Sequence, residues 1–364
     1  MSNVVPKKSI AAVFDRKEWF FVGGSLIASM AAGLLTAVHT NAVLTFIVSG
    51  VALALLAELV GLATDQLGSR LSAGATGVLQ SALGNLPELF VSIFALRAGL
   101  IEVVQAALVG SILGNSLFVL GIAFFVGGVR HGIQKFSTDA PKVIATLTLL
   151  AVSALAVPTL VHGLHTPAAG HEEGLSIAAA IVLLIVFIAS IPVSLQGGTK
   201  PLEMDASATT HAWPLVLTLV VLIGAGVGAA FVSDWFVSAL TPAITTLHIS
   251  QAFTGLVIVA LAGNAVENVV GVQLAARNQQ DYAISVILNS SLQIALGLIP
   301  VLVLLSFVIG GAHLTLVLPP LLVAALGLTA ILTTVIIYDG ESTWLEGLAL
   351  IGLYCIVAVS FWWG

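Results

Sequence analysis

The chain has 364 residues, 59% of them hydrophobic and only 8% charged, with a mean hydropathy of +1.14 and a formal net charge of −6. That composition excludes a soluble globular domain, and 11 scattered basic residues exclude a nucleic-acid-binding surface. One cysteine, Cys355, excludes an internal disulfide.

Residues 1–18 are polar and basic and read as a cytoplasmic N-terminal segment. The apolar run from Trp19 is full length and has no convincing cleavage site, so no secretory signal is predicted. Hydropathy predicts eleven spans, at 19–38, 42–64, 75–97, 102–127, 140–163, 174–196, 213–237, 249–276, 281–309, 313–337 and 342–362. All must be helices, because lipid offers no partner to an open backbone and the runs are too long for barrel strands. The expected fold is an all-α polytopic membrane protein. Lys7, Lys8, Arg16, Lys17, Arg70, Arg130, Lys135, Lys142, Lys200 and Arg277 fall on one side of this topology, and only Arg97 on the other. The asymmetry puts the N-terminus in the cytoplasm and, with an odd span count, the C-terminus outside. The outer loop 162–173 holds His162, His165, His171, Glu172 and Glu173. It is either a metal-collecting loop or, as the preferred reading, a solvated connection. Residues 197–212 are the most polar stretch and read as a cytoplasmic linker.

Beyond a first transmembrane helix (19–41), residues 42–196 and 213–364 hold five predicted helices each. Five is odd, so the second set enters from the opposite side, an inverted repeat with a site expected near the midplane. A short motif carries the same duplication. The first copy reads Gly84-Asn85-Leu86-Pro87-Glu88 and the second Gly263-Asn264-Ala265-Val266-Glu267. Subtracting 84 from 263 gives 179, and this offset also carries Glu102 onto Asp281 and Ser111 onto Ser290. A carboxylate inside a bilayer is costly and is by default a functional-site hypothesis.

The motif suits a hard cation. Gly84 and Pro87 weaken span three, proline by leaving the Leu83 carbonyl without its helical partner. The second copy lacks the proline, so its kink rests on Gly263 and is expected to be milder. Freed carbonyls, the amide oxygens of Asn85 and Asn264 and the carboxylates of Glu88 and Glu267 make an all-oxygen set, which Ca²⁺ prefers. Helical spacing puts Ser111 with Asn115 on one face, and Asn289 with Gln293 on another beside Ser290. No thiolate or imidazole lies in these segments, which argues against dedicated zinc or copper binding. Two carboxylates in one poorly solvated site cannot both stay charged cheaply without a cation, so cation and proton compete for them. Either glutamate alone could be a structural hydrogen bond between helices; the in-frame duplication favours a shared site. Glu58 is read equally as a gating acid or an interfacial residue. Glu102 and Asp281 are read first as helix caps that offset the dipole, and otherwise as vestibule acids that draw cations.

These residues resemble the calcium/cation antiporter superfamily and, within it, the Ca²⁺/H⁺ exchanger (CAX-type) family. Residues 84–128 look like its first α-repeat and 263–301 like its second. The sodium/calcium branch usually has Thr-Ser after the glycine and Asp in the second copy, so Asn85, Asn264 and Glu267 favour the proton branch. The resemblance implies one helix plus two inverted five-helix repeats. It also implies Glu88 and Glu267 as cation and proton carriers, with Asn85, Asn264, Ser111, Ser290 and Gln293 lining the site. Many members have histidine after the second glutamate, where this chain has Asn268. The resemblance further leads one to expect no long autoinhibitory tail, and an acidic helix reduced to Glu203 and Asp205. The expected function is Ca²⁺/H⁺ antiport by alternating access in a bacterial inner membrane, with Ca²⁺ as substrate and no cofactor. Na⁺-coupled exchange, a Mn²⁺ preference and a passive cation channel stay open, as does a homo-oligomer. No HExxH, GxSxG or paired Asp-rich motif supports an enzyme.

Overall fold

The computed structural model describes residues 14–71, 79–80, 83–196 and 213–363, without the side chains of 192–196, 266 and 267. The segment before residue 14, the linker 197–212 and the Glu267 side chain thus lie outside the described residues. The helices are α1 Arg16–Ala37, α2 Ala42–Gly68, α3 Leu86–Arg97, α4 Ile101–His131, α5 Asp139–Gly163, α6 Glu172–Gln196, α7 Leu215–Leu247, α8 Gln251–Gly263, α9 Ala265–Ala276, α10 Gln280–Ser306, α11 Pro320–Ile337 and α12 Trp344–Ser360. Among the described residues eight are long and apolar enough to cross a membrane, and α8 with α9 passes the same test as a pair bent by 63°. The shorter α3 and α12 have 12 and 17 residues. The chain is an all-α polytopic membrane protein.

The offset of 179 residues reappears in the backbone. It carries α3 onto α9 end to end. The residue before α3, Asn85, has φ −98° and ψ 22°; before α9, Asn264 has φ −91° and ψ 24°. Both helices finish in a left-handed residue, Gly99 (φ 78°) and Asn278 (φ 60°), inside the same paired turn. Leu100 N donates to Ala95 O at 2.9 Å, and Gln279 N to Leu274 O at 2.9 Å. These turns occupy carbonyls that a helix end otherwise leaves open. The long helices match too: α4 loosens into a π-turn at Gly114–Val119 and α10 at Ile294–Leu298. Such π-turns gather at functional sites because they break the side-chain register of a helix.

The two copies run in opposite directions. Arg97, at the finish of α3, abuts Gly311 and sits where α4 begins. The finish of α9 meets the residues where α4 ends, Gln134 Nε2 donating to Ala275 O at 3.3 Å. At this second end β1 (Gln134–Lys135) pairs antiparallel with β2 (Glu341–Ser342). Basic Arg130, Lys135, Lys142 and Arg277 gather there. Trp213, just after the linker, is fully buried and ties the start of α7 to α1 and α2. Its Nε1 donates to Glu18 Oε1 at 3.1 Å, and its carbonyl accepts from Arg70.

Position in the fold follows enclosure. α4 and α10 have 72% and 78% of their most apolar stretch buried, against 11% for α1, so they form the centre. α2 and α7 pack side by side with α1 outside them, joined in part by the stacked rings of Phe46 and Phe236 at 4.6 Å. Glycines set the closest approaches: a Cβ on Gly110 of α4 would collide with the Leu256 backbone of α8, and one on Gly121 would lie 2.8 Å from Gly347 O of α12. Small residues at such crossings let membrane helices gain dispersion contacts where no hydrophobic drive is left.

Two predicted spans differ from the structure. Span seven was expected to stop at 237, yet α7 continues through Pro242 to Leu247 and ends at left-handed His248. Span ten was expected to start at 313, but 312–319 is extended. In this strap Leu314, Leu316 and Leu318 point inward, and their N–H groups donate to Ser306 Oγ, Ser176 Oγ and Thr159 Oγ1, each at 2.9 Å. Gln105 Nε2 donates to Thr315 O and Val317 O, both at 3.0 Å. Side chains from four helices thus satisfy a backbone that lipid could not.

Candidate functional site

Each motif breaks its span at the Gly-Asn pair. Leu83 is the last helical residue before the first break, and Gly84 N donates back to Gln80 O at 2.8 Å. Pro87 sits in the first turn of α3, past the break, where its missing N–H costs nothing. The second copy takes the same asparagine backbone angles without a proline, so proline does not set those angles. The break belongs to glycine and asparagine.

An asparagine before a helix usually spends its side-chain oxygen on the first turn. Neither Asn85 nor Asn264 does so. Both are buried and reach across to the central helices. Asn264 Nδ2 donates to Ser111 Oγ at 2.8 Å and to Ala260 O at 2.9 Å. Asn115 Nδ2 donates to Ser290 Oγ at 2.9 Å and to Asn264 Oδ1 at 3.3 Å. Asn85 Nδ2 donates to Gln293 Oε1 at 3.5 Å. The network therefore crosses between α4, α8–α9 and α10 at their most enclosed depth.

Glu88, in the first turn of α3, is 6% exposed. It lies directly against the other motif: a Cβ on Gly263 would stand 2.7 Å from Glu88 Cγ and 2.8 Å from Oε1. The bare glycine backbone is what lets the carboxylate approach the second break. Near it, Asn85 Oδ1 and Asn115 Oδ1 are buried acceptors with no hydrogen-bond partner among the described residues. Buried acceptors are rarely left so. A carboxylate with amide and hydroxyl oxygens suits a hard cation and offers nothing to a soft one.

Other predicted residues stand apart. Asn289 donates along its own helix to Ser285 Oγ at 3.4 Å and does not join the network, although Gln293, four residues on, does. Glu102 and Asp281 are not caps; those positions belong to Leu100 and Gln279, and neither makes a side-chain cap bond. Both acids lie in the first turn, where they still complement the dipole. Glu102 is exposed, whereas Asp281 Oδ1 accepts from Ser137 N at 2.6 Å and holds the α4–α5 connection. Glu58 is half-buried in α2. In the 162–173 loop His162 Nδ1 pairs with Glu172 Oε1 at 2.8 Å, and Glu173 pairs with His313 at 3.2 Å. Among the described residues no three His, Cys, Asp or Glu groups converge as a metal site.

Two features escaped the sequence reading. Ser116 and Ser291 share a buried 3.0 Å hydrogen bond, foreshadowed by the polar doublets Asn115-Ser116 and Ser290-Ser291 in apolar helices. Asp65 Oδ1 accepts from Gln80 Nε2 at 3.0 Å, linking α2 to the approach to the first break. Asn115 holds both Ser290 and Asn264, so Asn115→Leu removes two buried hydrogen bonds and leaves these acceptor atoms only the 3.5 Å bond from Ser290 Oγ to Asn264 Oδ1. That costs about 1–3 kcal/mol of stability. We expect a matching fall in the melting temperature of the purified protein.

Residues 41–196 and 217–363 match the sodium/calcium exchanger protein family, with the gap between the two matches at the linker. The chain is 35% identical over 338 residues to a Ca²⁺/H⁺ antiporter of Synechocystis sp., covering 87% of this chain and 90% of that protein. It is 31% identical to the Ca²⁺/H⁺ antiporter ChaA of Bacillus subtilis, covering 89% and 93%. Its fold matches the structure of native YfkE with a TM-score of 0.81 at 28% identity, over 94% of this chain and 99% of that one. The duplicated break, its opposed copies and these likenesses agree: the chain belongs to the sodium/calcium exchanger protein family, alongside its Ca²⁺/H⁺ antiporters.

Proposed function

We propose that the protein is a secondary active antiporter that exports Ca²⁺ from the cytosol in exchange for protons. The observation that carries this reading is the buried Glu88 carboxylate set against Gly263 of the opposed motif, among amide and hydroxyl oxygens. Ca²⁺ favours the charged carboxylates and protons displace it, so one site holds either ion and not both. Glu88 and Glu267 are the carriers in this scheme. Asn85, Asn264, Ser111, Asn115, Ser290 and Gln293 line the site. Residues 42–196 and 213–364 are the two repeats, which rock against each other around it. The bacterial relatives support an inner-membrane location, and the basic residues at one end support a cytoplasmic N-terminus.

The test is Ca²⁺ uptake into proteoliposomes under an imposed pH gradient. Uptake should follow ΔpH, need no Na⁺ and weaken when the Ca²⁺-loading side is acidified. Uptake driven by a Na⁺ gradient would replace H⁺ as the coupling ion. Continuous flux that ignores both gradients would mean a channel. Mn²⁺ competition then ranks the cations, since oxygen sites accept both.

A further inference from the structure

The C-terminal ends of α3 and α9 are held by the opposite copy. Leu96 O accepts from Gly99 N at 3.0 Å within its own turn, and also from Ala312 N at 3.1 Å, from the connection after α10. The equivalent carbonyl, 179 residues on, is Ala275 O. It accepts from Asn278 N at 3.0 Å in its own turn and from Gln134 Nε2 at 3.3 Å, from the connection after α4. Leu96 and Ala275 are fully buried, and Gln134 is 2% exposed.

Each connection is itself anchored. Gln134 Nε2 also donates to Asn278 Oδ1 at 2.8 Å, Ser137 N to Asp281 at 2.6 Å, and Phe136 N to Gly340 O at 2.9 Å. Gly127 leaves room for the Gln134 amide, where a Cβ would overlap Oε1. On the other side Gly311 adopts φ +100° and touches Arg97, with the strap beyond it held by Gln105, Ser176, Thr159 and Ser306.

We propose that these two connections are reciprocal clamps, Gln134 positioning α9 with Glu267 and the Gly311–Ala312 peptide positioning α3 with Glu88. The inference rests on the antiport reading above. A half-helix of 12 residues with a break at its front is marginal by itself and takes its position from what it packs on, so its rear anchor helps set where its first turn stands. Anchoring each copy on the other makes the two carboxylates move as one unit.

The test uses the full chain. Gln134→Met removes both donors at similar length. Gly311→Ala drives a Cβ to 2.8 Å from both Arg97 Cα and Leu96 O. Two controls separate clamping from general damage. Gly310→Ala carries similar backbone strain (φ +72°) and meets nothing within 4 Å. Lys135→Ala removes only the exposed ion pair with Glu341. Both clamp variants should raise the KM for Ca²⁺ roughly five- to thirty-fold with kcat within about twofold, while the controls leave KM in place. A purely structural role would instead lower the active fraction at constant KM. Unchanged KM in both clamp variants, or an equal rise in the controls, overturns the proposal. If one variant is not recovered folded, the other decides. Calorimetric Ca²⁺ binding separates the two levels. Wild-type protein that binds Ca²⁺ without exchanging it sinks antiport alone, whereas an unshifted Kd in the clamp variants sinks the clamp alone.

Discussion

Glu88→Gln should abolish proton-driven Ca²⁺ uptake while leaving the fold intact. The substitution keeps the volume, removes the charge and the titrating proton, and turns one acceptor oxygen into a donor amide. A buried ionic partner is typically worth about 3–5 kcal/mol when removed alone, two to three and a half decades in affinity. The loss should therefore exceed a hundredfold in uptake, with the melting temperature little changed. Glu267→Gln should behave the same way, because the second motif repeats the first in sequence and backbone. Uptake that survives both substitutions would place cation and proton coupling elsewhere in the chain. Loss in one variant only would break the equivalence of the copies.

The duplication could be read from residue pattern because it is written twice in local chemistry. Glycine and asparagine break the helix in both copies, and a left-handed residue ends it at matched positions. Local rules of this kind do not depend on tertiary contacts. The centre of the site was partly readable for the same reason: polar side chains in apolar helices have few places to go, and Ser111, Asn115, Ser290 and Gln293 converge on the asparagines. What escaped was decided by long-range partners. His313–Pro319 reads as part of an apolar helix, since alternating leucines and a helical run are alike at that length. Gln105, Thr159 and Ser176, distant in sequence, make the extended form possible together with nearby Ser306. Asn289 fails for a related reason. Sharing a helical face with Gln293 says nothing about which neighbour that face meets. Proline was a misleading signal at Pro87, which stands where a helix tolerates it.

The equivalence of the two copies should fail at their glycines. Gly84→Ala would place its Cβ 2.8 Å from Gln80 O, a backbone atom of its own turn. Nothing there can rotate away, so the break itself must distort, and the expected result is lost expression or a melting temperature lowered by several degrees. Gly263→Ala meets a different neighbour. Its Cβ would fall 2.7–2.9 Å from Cγ, Cδ and Oε1 of Glu88, the far end of a flexible side chain. That chain can yield by about half an ångström or more at a cost of roughly 1–3 kcal/mol, which the fold survives. The carboxylate then leaves its place. Ca²⁺–oxygen distances span only about 2.3–2.6 Å, so a shift of that size takes the ligand out of range. Gly263→Ala should therefore be well folded, with a Ca²⁺ KM raised at least about tenfold, as misplacement of a reacting group predicts. The pair of measurements is thermal melting and Ca²⁺ uptake on the same preparations. If Gly263→Ala unfolds and Gly84→Ala transports normally, the opposed carboxylate does not depend on the bare second break. If both variants lose stability and affinity together, the glycines serve the helix alone, and the contact between Glu88 and the second motif is packing without a role in binding.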